Sequence, residues 1–234
     1  LKKFIPRYLQ SIIWFIIFFI KTRRLYGVGK EKWENSKAEL TFVSWSSYID
    51  QKALQNSHYV SNYWTNLPDK VSSKSYHSNW LHIIVPDRNF DYGKRGKEAI
   101  NLLNENKNLQ THTTIYSFFN FFIFVSTFYD WFLLLFRSYD SIEALKKNSK
   151  QYLWPYLEND WLESIYGKTA ISNLLTLNLL YESMKSIKKQ KLCIYLMENQ
   201  PWEYALNYSL KTFDHGKVLA FPHTTIKYWD LRYT

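Results

Sequence analysis

Residues 191–230 constrain the fold most. They alternate a short apolar run, a helix-length segment and a second apolar run, and each run is followed by a chemically capable side chain. Leu192–Met197 reads as a buried strand that stops at Glu198. Asn199 and Gln200 follow, then Pro201, which suits a first helical position because the N–H it lacks has no partner there anyway. The spacing predicts a helix through Trp202 to Phe213, closed by Gly216. Residues 218–221 form the next strand, with His223 just past it. In an open parallel sheet the carboxyl ends of the strands form the ligand crevice, so Glu198 and His223 are expected near one another, about 5 to 10 Å apart. The plainer alternative makes Glu198 a helix cap and His223 an ordinary loop histidine.

The earlier part of the chain repeats the theme. Leu40–Trp45 is a strand candidate followed by the turn Ser46-Ser47 and then Asp50, and residues 63–71 read as a short helix or irregular segment. Residues 80–85 are a second strand, its β-branched run Ile83-Ile84-Val85 stopped by Pro86-Asp87. Residues 94–107 have helical spacing with Ile100 and Leu103 inward, and residues 111–116 are a third strand. From 141 to 189 the pattern is mainly helical, broken near Trp154-Pro155. This order predicts an α/β fold: a Rossmann-like, mainly parallel sheet containing strands 40–45, 80–85, 192–197 and 218–221, with a helical, aromatic-rich insertion at about 115–190. Its length of 234 residues suits one such domain over 38–234, preceded by a basic and aromatic segment over 1–37. The chain lacks an initiating Met at Leu1 and stops abruptly at Thr234, which leads us to expect a fragment.

Two apolar stretches bear on membranes. Residues 9–20 are apolar apart from Gln10 and Ser11, shorter than the roughly 20 residues a span needs. Lys2, Lys3 and Arg7 precede them and Lys21, Arg23 and Arg24 follow, a layout that suits a helix lying on an anionic surface or, alternatively, a buried helix with solvated ends. Residues 115–136 are long enough to cross a bilayer, but Asn120, Thr127 and Asp130 share one side with Ser126 beside them. That leaves Phe118, Phe122, Phe132 and Leu133 on a broad apolar face. A single crossing there would also separate the earlier strands from the later ones, so a buried or membrane-dipping helix is expected.

A formal charge of +10 calls for an anionic partner without choosing among nucleic acid, lipid headgroups and sugar nucleotides. Aromatic residues make up 19% of the chain, including 10 Trp, enough for a core and for an apolar interface. The lone Cys193 lies within an apolar strand; it permits no disulfide framework and suits a reducing compartment. No phosphate-binding glycine loop, zinc spacing or serine nucleophile elbow is present in the sequence, so no cofactor and no metal are expected. The basic residues are not interleaved with aromatics as in a nucleic-acid module, so no nucleic acid is expected either. His82 reads as structural within its strand, and basic runs such as 185–189 read as solvated helix ends.

Several segments together resemble a bacterial family of surface carbohydrate biosynthesis proteins of O-antigen or capsule gene clusters. They are Phe42-Val43-Ser44-Trp45 with Asp50, Tyr63-Trp64-Thr65-Asn66-Leu67-Pro68, Asn79-Trp80-Leu81-His82, Glu198-Asn199-Gln200-Pro201-Trp202-Glu203, and Phe221-Pro222-His223-Thr224-Thr225 with Trp229-Asp230-Leu231-Arg232-Tyr233. The resemblance implies the N-terminal half of a GT-B-like glycosyltransferase, its donor domain lying beyond this chain. It implies transfer from a nucleotide-sugar donor to a lipid-linked glycan acceptor. The basic flanks and the lone cysteine, apart from the resemblance, lead us to expect peripheral association with the cytoplasmic face of the inner membrane, through residues 9–20 and the aromatic face of 115–136. In that scheme Glu198, His223 and Asp50 are the catalytic candidates, and Asn199, Gln200, Trp202, Thr224, Thr225 and Arg232 contact substrate. A noncatalytic assembly protein of the same fold is the first alternative, and a basic nucleic-acid-binding protein the second.

Overall fold

The computed structural model describes residues 6–87, 90–105, 109–148 and 154–222. Among these residues five strands, β1 (Leu40–Trp45), β2 (Ser78–Ile83), β3 (Gln110–Thr114), β4 (Leu192–Met197) and β5 (Lys217–Pro222), form one sheet in the order β3-β2-β1-β4-β5. Every neighbouring pair is parallel. The helices are α1 (Arg7–Thr22), α2 (Lys30–Glu34), α3 (Gln51–Gln55), α4 (Leu67–Ser73), α5 (Lys94–Glu105), α6 (Phe121–Asn148), α7 (Trp154–Tyr166), α8 (Lys168–Ser186) and α9 (Pro201–Thr212). The four strands predicted to share a sheet do share it, and the fold is α/β with a Rossmann-like parallel sheet. By its contacts the chain divides into two compact units, residues 22–119 with 179–234 and residues 1–21 with 120–178.

The first unit holds the sheet. β2 is buried at every position and β1 at all but its ends, as parallel strands covered on both faces should be. Register sets Phe42 beside Trp80 and Trp80 beside His112, so three flat side chains form a row across β1, β2 and β3. Phe42 and Trp80 stack at 4.2 Å between ring centroids. Trp64 meets Phe42 edge-on and donates its indole N–H to Ser44 Oγ at 3.1 Å. At the amino ends of the strands a buried polar network replaces apolar packing: Thr41 donates to Gln190 Oε1 at 2.8 Å, and Gln190 Nε2 donates to the Ala38 carbonyl at 3.1 Å. β5 is an edge strand, with Val218, Leu219 and Phe221 all substantially exposed.

Two boundaries differ from expectation for local reasons. The second strand begins at Ser78 and ends at Ile83 rather than covering 80–85, because Asn79 is satisfied inside by Ser36 and Gln190. The chain leaves α9 through Asp214, which takes the left-handed φ of 51°, and not through Gly216. Gly216 is needed for another reason: a Cβ there would collide with the Lys191 carbonyl oxygen, on the backbone it must approach to begin β5.

The second unit is helical. The stretch 115–136 is not one helix: Ile115–Phe118 form a buried 3-10 turn belonging to the sheet unit, and α6 starts afresh where Asn120 Oδ1 accepts the Ile123 N–H at 2.9 Å. Phe15 of α1 stacks on Phe124 of α6 at 4.8 Å, and Trp131 donates to the Ile165 carbonyl at 2.9 Å. Ser11 ties α1 to α7 by donating to the Tyr166 carbonyl at 3.0 Å. The polar side of α6 turns inward. Thr127 is fully buried, and Asn178 donates to both Thr127 Oγ and Asp130 Oδ2, the latter at 2.8 Å. Aromatic side chains of α6 are left outside.

Candidate functional site

In the order β3-β2-β1-β4-β5 the chain runs outward one way from β1 and then returns to run outward the other way from β4. The connections therefore diverge between β1 and β4, and the carboxyl ends of that pair are the place where open parallel sheets bind ligands. Trp45 ends β1 and Glu198 follows β4 directly. The indole N–H of Trp45 donates to Glu198 Oε2 at 3.0 Å, closing this point from both sides. Both residues remain partly exposed, so the carboxylate is held by a neutral donor and still reaches solvent.

Aromatic rings surround it. Tyr48 and Tyr63 face each other at 5.4 Å, and Tyr63 donates its hydroxyl to the Pro222 carbonyl at 2.8 Å, linking the segment after β1 to the end of β5. Burial raises both phenols above their ordinary pKa, and the Glu198 charge pushes each further in the same direction. Each tyrosine therefore remains a neutral donor near neutral pH. Trp202 lies edge-on to Trp45 at 5.7 Å and to Tyr195 at 5.7 Å. It is 7% exposed, so it supports Trp45, and its indole N–H is buried without a hydrogen-bond partner.

The turn from β4 into α9 is built by Glu203. Its Oε1 accepts the backbone N–H of Glu198 at 2.7 Å and that of Gln200 at 2.8 Å, the second being half of a capping box with Gln200. Pro201 occupies the first helical position, and Asn199 takes a left-handed φ of 58°, which Asn tolerates better than most residues. Glu198 is thus not the cap; its backbone is fixed by Glu203 and its side chain is left for Trp45. Removing the Glu203 carboxylate strands two N–H groups, so Glu203→Ala is expected to cost about 2 kcal/mol in urea unfolding. An unchanged midpoint and slope would show that the turn holds without it.

The other sequence candidates fall in different places. Asp50 is the N-cap of α3, its Oδ1 accepting the Ala53 N–H at 2.8 Å, which accounts for a carboxylate at that position. Asn199 and Gln200 are exposed beside Glu198. His223, Thr224, Thr225 and Arg232 lie outside the described residues, although register pairs Met197 with Pro222 and so aligns the two strands that lead to Glu198 and His223. Trp45, Tyr48, Tyr63 and Glu203 are not among the catalytic or substrate-contacting candidates of the sequence, although all but Tyr48 lie in segments that carry the resemblance. Trp45 could have been a candidate, as an indole at a strand's carboxyl end.

Two carboxylates, Glu198 and Glu203, stand at the start of α9, where an anion would otherwise be favoured. They repel a phosphate there. The surface fits a neutral, hydroxyl-rich ligand, which the aromatic faces can contact and a carboxylate can deprotonate or orient. No group of three or more metal-ligating side chains occurs among the described residues. Comparison with protein-family models, with curated proteins and with solved structures finds no match for this chain.

Proposed function

We propose that this chain is the acceptor-binding part of a GT-B-like glycosyltransferase of bacterial surface polysaccharide biosynthesis, with Glu198 acting on the acceptor hydroxyl. The observation that carries the reading is the Trp45–Glu198 hydrogen bond across the divergence point between β1 and β4. It holds a solvent-reaching carboxylate among aromatic rings where an open parallel sheet binds ligands. A base there takes the proton of a sugar hydroxyl as it attacks the donor's anomeric carbon, and the nucleoside diphosphate leaves with the bonding pair. The donor's phosphates need positive or dipolar stabilisation. The carboxylates at α9 make this edge the acceptor side, and Arg232 remains a candidate phosphate partner from the resemblance alone.

The reading is tested in the source bacterium by replacing the chromosomal gene with Glu198→Gln and measuring surface polysaccharide by gel electrophoresis. Immunoblotting controls for protein level. Loss of polymer at normal abundance supports the reading; normal polymer at normal abundance removes it. Trp45→Phe keeps an aromatic ring against Trp202 but deletes the donor to Glu198. It is expected to lower transfer by about tenfold, the size of one hydrogen bond to a charged group.

A further inference from the structure

We infer that the helical unit docks on an anionic lipid surface through adjacent apolar stripes of α1 and α6, both helices lying along the membrane and neither crossing it. On α6 the exposed side chains Phe121, Phe122, Val125, Tyr129, Phe132 and Phe136 recur at helical spacing, with Phe122 75% and Phe136 78% exposed. Ile13, Ile16, Ile17 and Ile20 do the same on α1. The helices are neighbours, since Phe15 and Phe19 of α1 both meet Phe124. A water-facing helix would show the opposite arrangement, its polar side outward. Here Thr127 and Asp130 are turned in to Asn178 and the aromatic side is turned out. Patches of this extent mark an interaction surface.

Charge selects the occupant. α1 contains no acidic residue; Lys21 in its last turn is exposed, and exposed Arg23 and Arg24 follow it directly. Asp130, the one acidic residue of the apolar stretch Phe121–Ser138, is engaged by Asn178. Lys21 at the end of the apolar stripe of α1, with two further cations next in the chain, matches the boundary between anionic headgroups and acyl chains. Crossing is excluded by topology. Among the described residues α6 is the one helix long and apolar enough to span, and a single passage would leave β1, β2 and β3 on the other side from β4 and β5. Yet β1 pairs with β4 along Leu40 to Val43.

The inference does not depend on the glycosyl-transfer reading, and its test has no catalytic readout. The whole chain is floated with vesicles of pure phosphatidylcholine and with equimolar phosphatidylcholine and phosphatidylglycerol, at low and high salt. Flotation is expected with the anionic vesicles and should weaken as salt rises. The double variant Phe122→Asp, Phe132→Asp should lose at least about tenfold in partitioning while keeping its circular dichroism and melting temperature, since both side chains are already in solvent. Lys21→Glu with Arg24→Glu should lose binding only to the anionic vesicles. Three results overturn the proposal: no flotation of the wild-type chain, resistance of membrane-bound protein to alkaline extraction, or a dimer without lipid binding that the double phenylalanine variant dissociates. The last of these would assign the face to a second copy.

Discussion

On the proposed function, Glu198→Gln is expected to lower glycosyl transfer by about 100-fold or more while leaving the protein folded. The substitution keeps the shape of the side chain and an oxygen that can still accept the Trp45 N–H, so the local frame survives. What disappears is the ability to take a proton. A 100-fold loss corresponds to about 2.7 kcal/mol of transition-state stabilisation, well above the few tenths that an exposed isosteric change costs in stability. Comparison with Trp45→Phe then separates two roles for the same carboxylate. If Glu198 is a base, the glutamine variant is much the worse of the two, because the phenylalanine variant retains the carboxylate and loses only its restraint. If Glu198 serves to hold Trp45 in place, the glutamine variant, which still accepts the Trp45 N–H, is the milder of the two. A glutamine loss no larger than that of Trp45→Phe would therefore assign the pair to structure and move the search for the base to residues beyond 222.

The unit from β4 to β5 was legible because its signals are local. An apolar run, Pro201 at the first helical turn and a second run near Gly216 fix three elements within about one residue of where they lie. The start of β2 was not legible, because hydropathy favours Ile83-Ile84-Val85 while the sheet begins at Ser78 and Asn79, polar residues made comfortable by partners far away in sequence. The amphipathic pattern of α6 was visible, but which face points inward depends on Asn178, about fifty residues downstream. The candidate site divides the same way. Glu198 could be found from its own strand, whereas Trp45 lies 153 residues away and becomes its partner only through the return of the chain to the far side of β1. Glu203 is a third case: its spacing from Gln200 is that of a capping box, a helix-start signal, but its second bond, to the Glu198 N–H, exists only in the folded turn.

Lowering the pH from 7.5 to 5 is expected to destabilise the fold by about 2 kcal/mol through His82 alone. His82 and His112 are fully buried, their rings are parallel within 4°, and His82 Nε2 lies 3.1 Å from His112 Nδ1. One consistent arrangement has His82 Nε2–H donating to His112 Nδ1 and His112 Nε2–H donating to Gln110 Oε1 at 3.3 Å. Both rings are then neutral, and the unpartnered His82 Nδ1 is a bare acceptor, a lesser burden than a buried donor or charge. Tyr59 packs edge-on against His112 at 4.7 Å and helps keep water out. Burial pushes His82 from its ordinary 6.5 down to about 3, and burial reinforced by the His82 charge lowers His112 in the same direction. The unfolded chain takes up protons below pH 6.5 and the folded chain does not. Stability is therefore fully present above 6.5 and drains away as the pH falls toward about 3. The paired carboxylates of Glu39 and Asp214, both held below their ordinary values, act mainly below pH 5 and leave this window to the histidines. Urea unfolding at the two pH values, for wild type and His82→Leu, reads the effect. The variant is less stable at pH 7.5 but should lose about 2 kcal/mol less on acidification, and ring nitrogen shifts in the folded wild type should still be those of neutral imidazole at pH 5. Identical pH slopes for the two proteins, or titration of the folded rings near 6.5, would mean that water reaches this pair and that the row Phe42, Trp80 and His112 is not a sealed core.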